Sequence, residues 1–329
     1  MGSRTKVPIT AEKVKELYSI AGFKVTGEPV AVTEGEFNAI FSVTTDRGDT
    51  VIKLSPDNED NLLTYEKGIM KREIDFYSLI SDKTDISVPR VLYSDLSKSA
   101  VSCEWFIMEK ISGKTLDKTD FSYTQKQKYI LNILAKHHKL SGSGYGYNGE
   151  YDNWYDAIRA MIMDLYRDGE KKLDNLKYGK TFLKKELSLG ARLIDAVDKN
   201  KELLKSVDCT LVNFDLWDKN MIFDGERVYV IDPERAFFGD FIGDIVMTDI
   251  MITSLSQKKS IIEEYQKTGG KDIEINRETE IRFNIMLGYI SFLMLIEKYY
   301  RYSFPDPYFI RNSYMIKPLK KAVNALENL

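Results

Sequence analysis

The sequence predicts an α+β fold in two lobes, a small antiparallel-sheet lobe followed by a mainly α-helical one. Five short runs of strand character, separated by turn residues, fill the region from residue 30 to residue 110. Beyond Gly113 the chain changes character and most of its apolar residues take helical spacing. The length of 329 residues also exceeds what one hydrophobic core usually organises, which favours two bodies. The division is expected at the end of the fifth strand, giving lobes of residues 1–111 and 112–329.

Taken in order, Val14, Leu17, Tyr18 and Ala21 recur at helical spacing behind Thr10, a side-chain N-cap, so a short helix opens the chain. Residues 30–32, 38–45 and 50–54 read as three strands, with Asp46-Arg47-Gly48-Asp49 turning between the last two. A long helix is expected over 65–80, and strands over 88–93 and 102–110 complete the sheet. Helices then follow over 124–139, 154–173, 183–204, 256–267, 277–302 and 308–326. The most apolar stretch, 283–296, contains Asn284, Gly288 and Ser291 and is too short for a bilayer core of about 30 Å, so it reads as a buried helix. Ser141-Gly142-Ser143-Gly144-Tyr145-Gly146 follows a helix rather than a strand and reads as a loop, not a phosphate cradle. Tyr299, Tyr300, Tyr302, Phe304, Tyr308 and Phe309 read as core.

Composition narrows the class. Apolar residues make up 43% and charged residues 29%, as in a globular protein of aqueous compartments. Lys and Arg number 47 against 50 Asp and Glu, a net charge of −3 that carries no nucleic-acid footprint. Cys103 and Cys209 have neither metal-ligand spacing nor a framework of pairs, and Met1-Gly2-Ser3-Arg4-Thr5-Lys6 lacks the apolar core of a signal peptide. A cytoplasmic location is expected, with no nucleic-acid, membrane or protein partner.

Chemistry concentrates in Asn213-Phe214-Asp215-Leu216-Trp217-Asp218-Lys219-Asn220, followed by Met221-Ile222-Phe223 and Val228-Tyr229-Val230-Ile231-Asp232. Asp224-Gly225 is a hairpin turn, which folds Asn220 back towards Asp232 and leaves Asp215 on the loop just ahead of both. One carboxylate to accept a hydroxyl proton, with an amide and a second carboxylate as oxygen ligands for Mg²⁺, is a set suited to phosphoryl transfer.

Asp215 with Asn220, Ile231-Asp232 and the run Glu234-Arg235-Ala236-Phe237-Phe238-Gly239-Asp240 with Asp244 resemble the aminoglycoside phosphotransferase and choline kinase superfamily, whose fold is protein-kinase-like. The resemblance implies that Asp215 is the catalytic residue, that Asn220 and Asp232 hold Mg²⁺, and that ATP or GTP is the phosphate donor. It implies a strand lysine on the nucleotide phosphates, Lys53, paired with a helix glutamate, Glu73, with Glu66 as the competing choice. At the inter-lobe strand it implies Met108 beside the base, the Glu109 carbonyl accepting from it and the Ile111 amide donating to it. Asp244 would begin a helix, cap it and brace the catalytic loop, and a histidine of His137-His138 would be structural.

The chain departs from the family pattern at Asn213-Phe214, where His-Gly or His-Asn is usual, and the turn at Thr33-Glu34-Gly35-Glu36-Phe37-Asn38 has one glycine where the nucleotide-covering loop belongs. These departures keep open a catalytically silent kinase-like binding module. The expected function is transfer of the γ-phosphate to a hydroxyl of a small molecule, an aminoglycoside-type antibiotic or related amino sugar. A methylthioribose, fructosamine or choline-like acceptor is the alternative. Glu263, Glu264, Asp272, Glu274 and Glu278 are candidates to face a polycationic acceptor, and describe a solvated surface equally well.

Overall fold

In a computed structural model of the chain, residues 6–33, 37–176 and 179–329 are described. The expected turn around Gly35 therefore lies partly outside the described residues.

Strands β1 (Val30–Ala31), β2 (Ala39–Thr45), β3 (Gly48–Leu54), β4 (Val91–Asp95) and β5 (Trp105–Glu109) form one antiparallel sheet in the order β1-β2-β3-β5-β4. Helix α1 (Ala11–Ile20), capped by the Thr10 side chain on the Lys13 amide, covers one face. Val14, Leu17 and Tyr18 pack there with Ile52, Trp105 and Ile107, and the Tyr18 hydroxyl lies 2.7 Å from Thr50 Oγ1. Helix α2 (Ile69–Lys83) lies on the other face, and Met70, Phe76 and Tyr77 join Phe106 and Met108 in the larger core. The strand pattern was legible because alternation has a period of two and the turns carry their own residues.

The helix expected over 65–80 is two pieces. Thr64–Glu66 form a 3-10 turn, Gly68 takes the left-handed conformation at φ 70°, and α2 starts only at Ile69. The glycine supplies a backbone angle that other residues adopt at a cost, so the chain bends there. Glu66 is thereby separated from the helix that carries Glu73.

The second lobe begins with the short β6 (Lys114–Thr115) and is built on α3 (Tyr123–His137), α4 (Trp154–Asn175), α5 (Lys180–Lys199) and α6 (Lys201–Lys205). Then come β7 (Thr210–Val212), β8 (Met221–Phe223), β9 (Val228–Val230), β10 (Phe237–Gly239) and α7 (Ile242–Met247). The chain closes with α8 (Lys259–Lys267), α9 (Arg277–Arg301), α10 (Pro307–Ser313) and α11 (Ile316–Asn328). Helix α9 is long and apolar enough to cross a membrane by length and composition, yet it packs against α4, α5, α7, α10 and α11, with Phe283 to Ile296 almost wholly buried. The helices expected over 183–204 and 308–326 are each interrupted, at Asn200 and at Tyr314-Met315. The aromatic run divides: Tyr299, Tyr300 and Tyr302 are core, whereas Phe304 and Tyr308 are exposed.

Candidate active site

The hairpin β8–β9 pairs Met221 with Val230 and Phe223 with Val228. Its turn is fixed by Asp224, whose Oδ1 accepts from the amides of Glu226 and Arg227 at 2.8 Å, and by Gly225 at φ 112°. Beyond the strands the Ile231 amide donates to the Asn220 carbonyl at 3.0 Å, so Asn220 and Asp232 leave the hairpin side by side.

The loop ahead of the hairpin is held from behind. Asp244 accepts the Asn213 amide at 2.9 Å and the Phe214 amide at 2.7 Å, and takes His138 Nε2 at 2.9 Å; Nδ1 of that ring meets the Tyr265 hydroxyl at 2.7 Å. Asp244 lies inside α7 and spends both oxygens on the loop, so it does not cap its own helix; Asp240 Oδ1 accepts from the Ile242 amide instead. Asn213 Oδ1 accepts from the Asp215 amide at 3.1 Å. Phe214 stands at φ 59°, strain of order 1–3 kcal/mol for a non-glycine residue, offset by the bond to Asp244 and by full burial of the ring. The ring lies against Phe237 and Tyr289, in space left by Gly243, where an added Cβ would stand 3.0 Å from it. The aromatic residue is thus accommodated inward, away from the Asp215 carboxylate.

Asn220 Nδ2 reaches back to the Asp215 carbonyl at 2.9 Å and to Asp215 Oδ2 at 3.2 Å. Arg235 Nη1 stands 3.6 Å from Asp215 Oδ1. Burial pushes the Asp215 carboxyl up to about 6, against the pull of Arg235.

Across the hairpin lies a second cluster. Lys53 Nζ donates to both oxygens of Glu73, at 2.7 and 2.8 Å, and to Asp232 Oδ1 at 2.6 Å. The Tyr77 hydroxyl donates to Glu73 at 2.8 Å and accepts the Asp232 amide at 3.0 Å. Burial raises the Glu73 carboxyl, whereas for Asp232 the burial is outweighed by Lys53, which holds it below its usual range. Lys53 and Glu73 are buried, while the Asp232 side chain keeps 38% exposure and so remains open to a ligand. Lys53 pairs with Phe106 and Val51 with Met108 across the β3–β5 ladder, so all four side chains share the face turned to the second lobe. The ladder ends where the Lys110 amide donates to Asp49, which places the backbone of Glu109 and Ile111 at the lobe junction.

Glu234 has no role in the sequence reading, yet its carboxylate lies with those of Glu73 and Asp232 within 4.8 Å and accepts from Asn38 Nδ2 at 2.6 Å. Burial and the charge of Asp232 push its carboxyl well above the ordinary range, so the cluster holds more carboxylate than Lys53 alone compensates. Asn220, Asp232 and Glu234 offer only oxygen ligands, a donor set that fits Mg²⁺. Glu297 and Arg301 were also missed: they sit one turn apart in the helix expected over 277–302, just past its apolar stretch 283–296, and their only signal was charge at i, i+4 beside Lys298. Arg235 stood in the quoted motif without a role. Glu66, the competing partner for Lys53, pairs with Arg301 instead, at 2.7 Å. Glu263 and Glu264 face Lys259 and Lys267, Asp272, Glu274 and Glu278 are exposed, and among the described residues none of the five forms an ion pair with Lys53, Arg235 or Arg301.

Residues 30–268, from the first sheet strand through the catalytic-type hairpin and α8, match the model of the phosphotransferase enzyme family. The chain belongs to this family. No curated protein sequence matches it significantly. Among solved structures, this phosphotransferase-family chain is similar to aminoglycoside phosphotransferase APH(4)-Ia, with a TM-score of 0.65 at 17% identity over 96% of this chain and 99% of that one. A protein assigned as a fructosamine-3-kinase from Haemophilus somnus 129PT gives 0.59 at 14% identity over 94% and 96%. APH(2″)-IIa, in a ternary complex with streptomycin and ATP, gives 0.57 at 18% identity over 96% and 97%. At these identities the likeness establishes the two-lobe, kinase-like fold. A thermostable mutant of APH(4)-Ia has also been solved with ADP and hygromycin B, so nucleotide binding is a property of these neighbours.

Proposed function

We propose that this family member is a nucleotide-dependent O-phosphotransferase that moves the γ-phosphate of ATP or GTP to a hydroxyl of a small molecule, an aminoglycoside-type antibiotic or related amino sugar. The observation that carries the reading is the meeting of Lys53, Glu73 and Asp232 on one side of a hairpin whose other end presents Asp215 and Asn220. Lys53, fixed by Glu73, would bind the nucleotide phosphates, and the backbone of Glu109 and Ile111 with the Met108 side chain would hold the base. Asn220 and Asp232 would hold Mg²⁺, which when bound supplies positive charge to the phosphate oxygens. Asp215 orients the acceptor hydroxyl and takes its proton; in a loose transition state this positioning matters more than basicity. The reaction is assigned to the cytoplasm.

A methylthioribose, fructosamine or choline-like acceptor is the second reading. The observation favouring it is that Asp215 is flanked by the guanidinium of Arg235, with Arg301 behind it, while Glu297 is spent on both arginines; this favours the uncharged methylthioribose within that set, since fructosamine and choline-like acceptors are themselves cations. Transfer of labelled γ-phosphate from ATP and from GTP, with Mg²⁺, to aminoglycosides, methylthioribose, fructosamines and amino alcohols separates the two. Labelled aminoglycoside supports the first reading and labelled sugar or amino alcohol the second. Tight nucleotide binding with no transfer to any hydroxyl compound or to water points to a silent module.

A further inference from the structure

The Asp215 carboxylate is approached at both oxygens. Asn220 Nδ2 donates to Oδ2 at 3.2 Å, and Arg235 Nη1 faces Oδ1 at 3.6 Å. The guanidinium is itself fixed from its other side, where Nη2 donates to the two oxygens of Glu297 at 3.0 and 3.2 Å. Arg301, one turn along α9, approaches Glu297 at 2.8 Å and Glu66 at 2.7 Å. The Tyr65 hydroxyl also donates to Glu297, at 3.3 Å. The line Asp215, Arg235, Glu297, Arg301, Glu66 alternates in sign and runs from the catalytic-type loop to the β3–α2 crossing of the sheet lobe.

These charges are withdrawn from water: side-chain exposure is 14% for Arg235, 4% for Glu297, 10% for Arg301 and 1% for Glu66. Burying one charge costs several kcal/mol unless it is paired, so alternation is what lets the line exist. An exposed arginine would sample many rotamers and fix nothing. Here the planar fork serves two carboxylates from two of its nitrogens, which the single ammonium of a lysine does not reproduce.

We propose that Arg235 is a positioning residue for the phosphotransfer reaction: braced by Glu297, it fixes the Asp215 carboxylate opposite Asn220, so that the acceptor hydroxyl meets it in one orientation. The inference rests on the phosphotransfer reading of the site. Arg235 touches neither phosphates nor base on this account, so its loss acts on turnover and not on nucleotide binding.

The test uses the full chain with Mg²⁺ and γ-labelled ATP, following release of inorganic phosphate with water as acceptor. Nucleotide affinity is measured in parallel with a fluorescent ATP analogue, and thermal midpoints are recorded for wild type, Arg235→Lys, Arg235→Gln and Asp215→Ala. Arg235→Gln is expected to lower kcat roughly 100-fold, the scale of a misplaced catalytic group, with nucleotide affinity within about twofold of wild type. Arg235→Lys is expected to fold with a thermal midpoint near that of wild type and to recover roughly tenfold of that loss, since the charge is kept and the fork is not. Turnover lost in Asp215→Ala but unchanged in Arg235→Gln overturns the inference and leaves the phosphotransfer reading standing. A loss of kcat matched by an equal loss of nucleotide affinity and of folded protein also overturns it, since a core ion pair alone would do that. A folded wild type that neither binds nucleotide nor releases phosphate overturns the reading and the inference together.

Discussion

Lys53 and Asp215 are placed by opposite means. Lys53 lies inside the sheet lobe with both oxygens of Glu73 and one of Asp232 around it, so its position is over-determined by charge. Asp215 sits on a loop whose backbone is pinned by Asp244 and whose side chain is approached by Asn220 and Arg235. His137 is the residue whose environment makes the sharpest prediction away from the site. It is fully buried against Phe76, and neither ring nitrogen has a hydrogen-bond partner among the described residues. Burial lowers its pKa to about 3, against about 6.5 in an unfolded chain. Between those values the unfolded chain binds a proton that the native one refuses. The contribution is therefore fully present above pH 6.5 and is lost as pH falls towards 3. Thermal melts of His137→Leu should lose less stability than wild type between pH 7 and pH 4.5; an equal loss in both proteins would show that the buried ring takes no part in the acid response. At this scale the convergence of Asn220 and Asp232, with Asp215 just ahead, was legible from the Asp224-Gly225 hairpin, whereas the pairing of Lys53 with Glu73 was legible only through the family resemblance. Arg235 was not legible, since its ion pair with Glu297 across 62 residues leaves no local pattern, and the i, i+4 pair of Glu297 with Arg301 reads by itself as ordinary helix charge.

Elements show where helical periodicity informs and where it misleads. The spacing of apolar residues found every long helix of the second lobe but ran through the breaks at Asn200 and Tyr314 there and at Gly68 in the sheet lobe, because the core face continues across each break while the backbone does not. The break at Gly68 matters most, as it frees Thr64 to meet Asp168 at 2.7 and 2.9 Å and Glu66 to meet Arg301. Close approach of α5 and α9 depends on two glycines, with Gly190 against Phe292 and Gly288 against Leu193. A Cβ at Gly190 would stand 2.5 Å from the Phe292 ring. Alanine gains about 1 kcal/mol in helix propensity over glycine. Overpacking a core costs about 1–3 kcal/mol. Gly190→Ala should therefore lower the denaturation midpoint in urea, and a variant as stable as wild type or more so would show that the two helices separate freely.

Across the whole molecule the two lobes meet through chemistry as well as packing. Lys53 to Asp232, Asn38 to Glu234, Glu66 to Arg301 and Thr64 to Asp168 each join the sheet lobe to the helical one, and the first of these lies in the proposed nucleotide site. The class of fold was readable because the five runs of strand character cluster before residue 111 and most of the long helical periodicities come after it. The acceptor was not, because the groups around Asp215, Arg235 with Glu297 and Arg301 behind it, come together only through tertiary contacts. The central claim is that Asp215 acts on the acceptor hydroxyl while Lys53 and Asp232 serve the nucleotide. The direct test is equilibrium nucleotide binding and γ-phosphate turnover measured side by side on wild type and Asp215→Asn, with Mg²⁺ present. Turnover reduced by roughly 100-fold or more with nucleotide affinity nearly unchanged is the predicted result. Equal turnover in the two proteins would contradict the account.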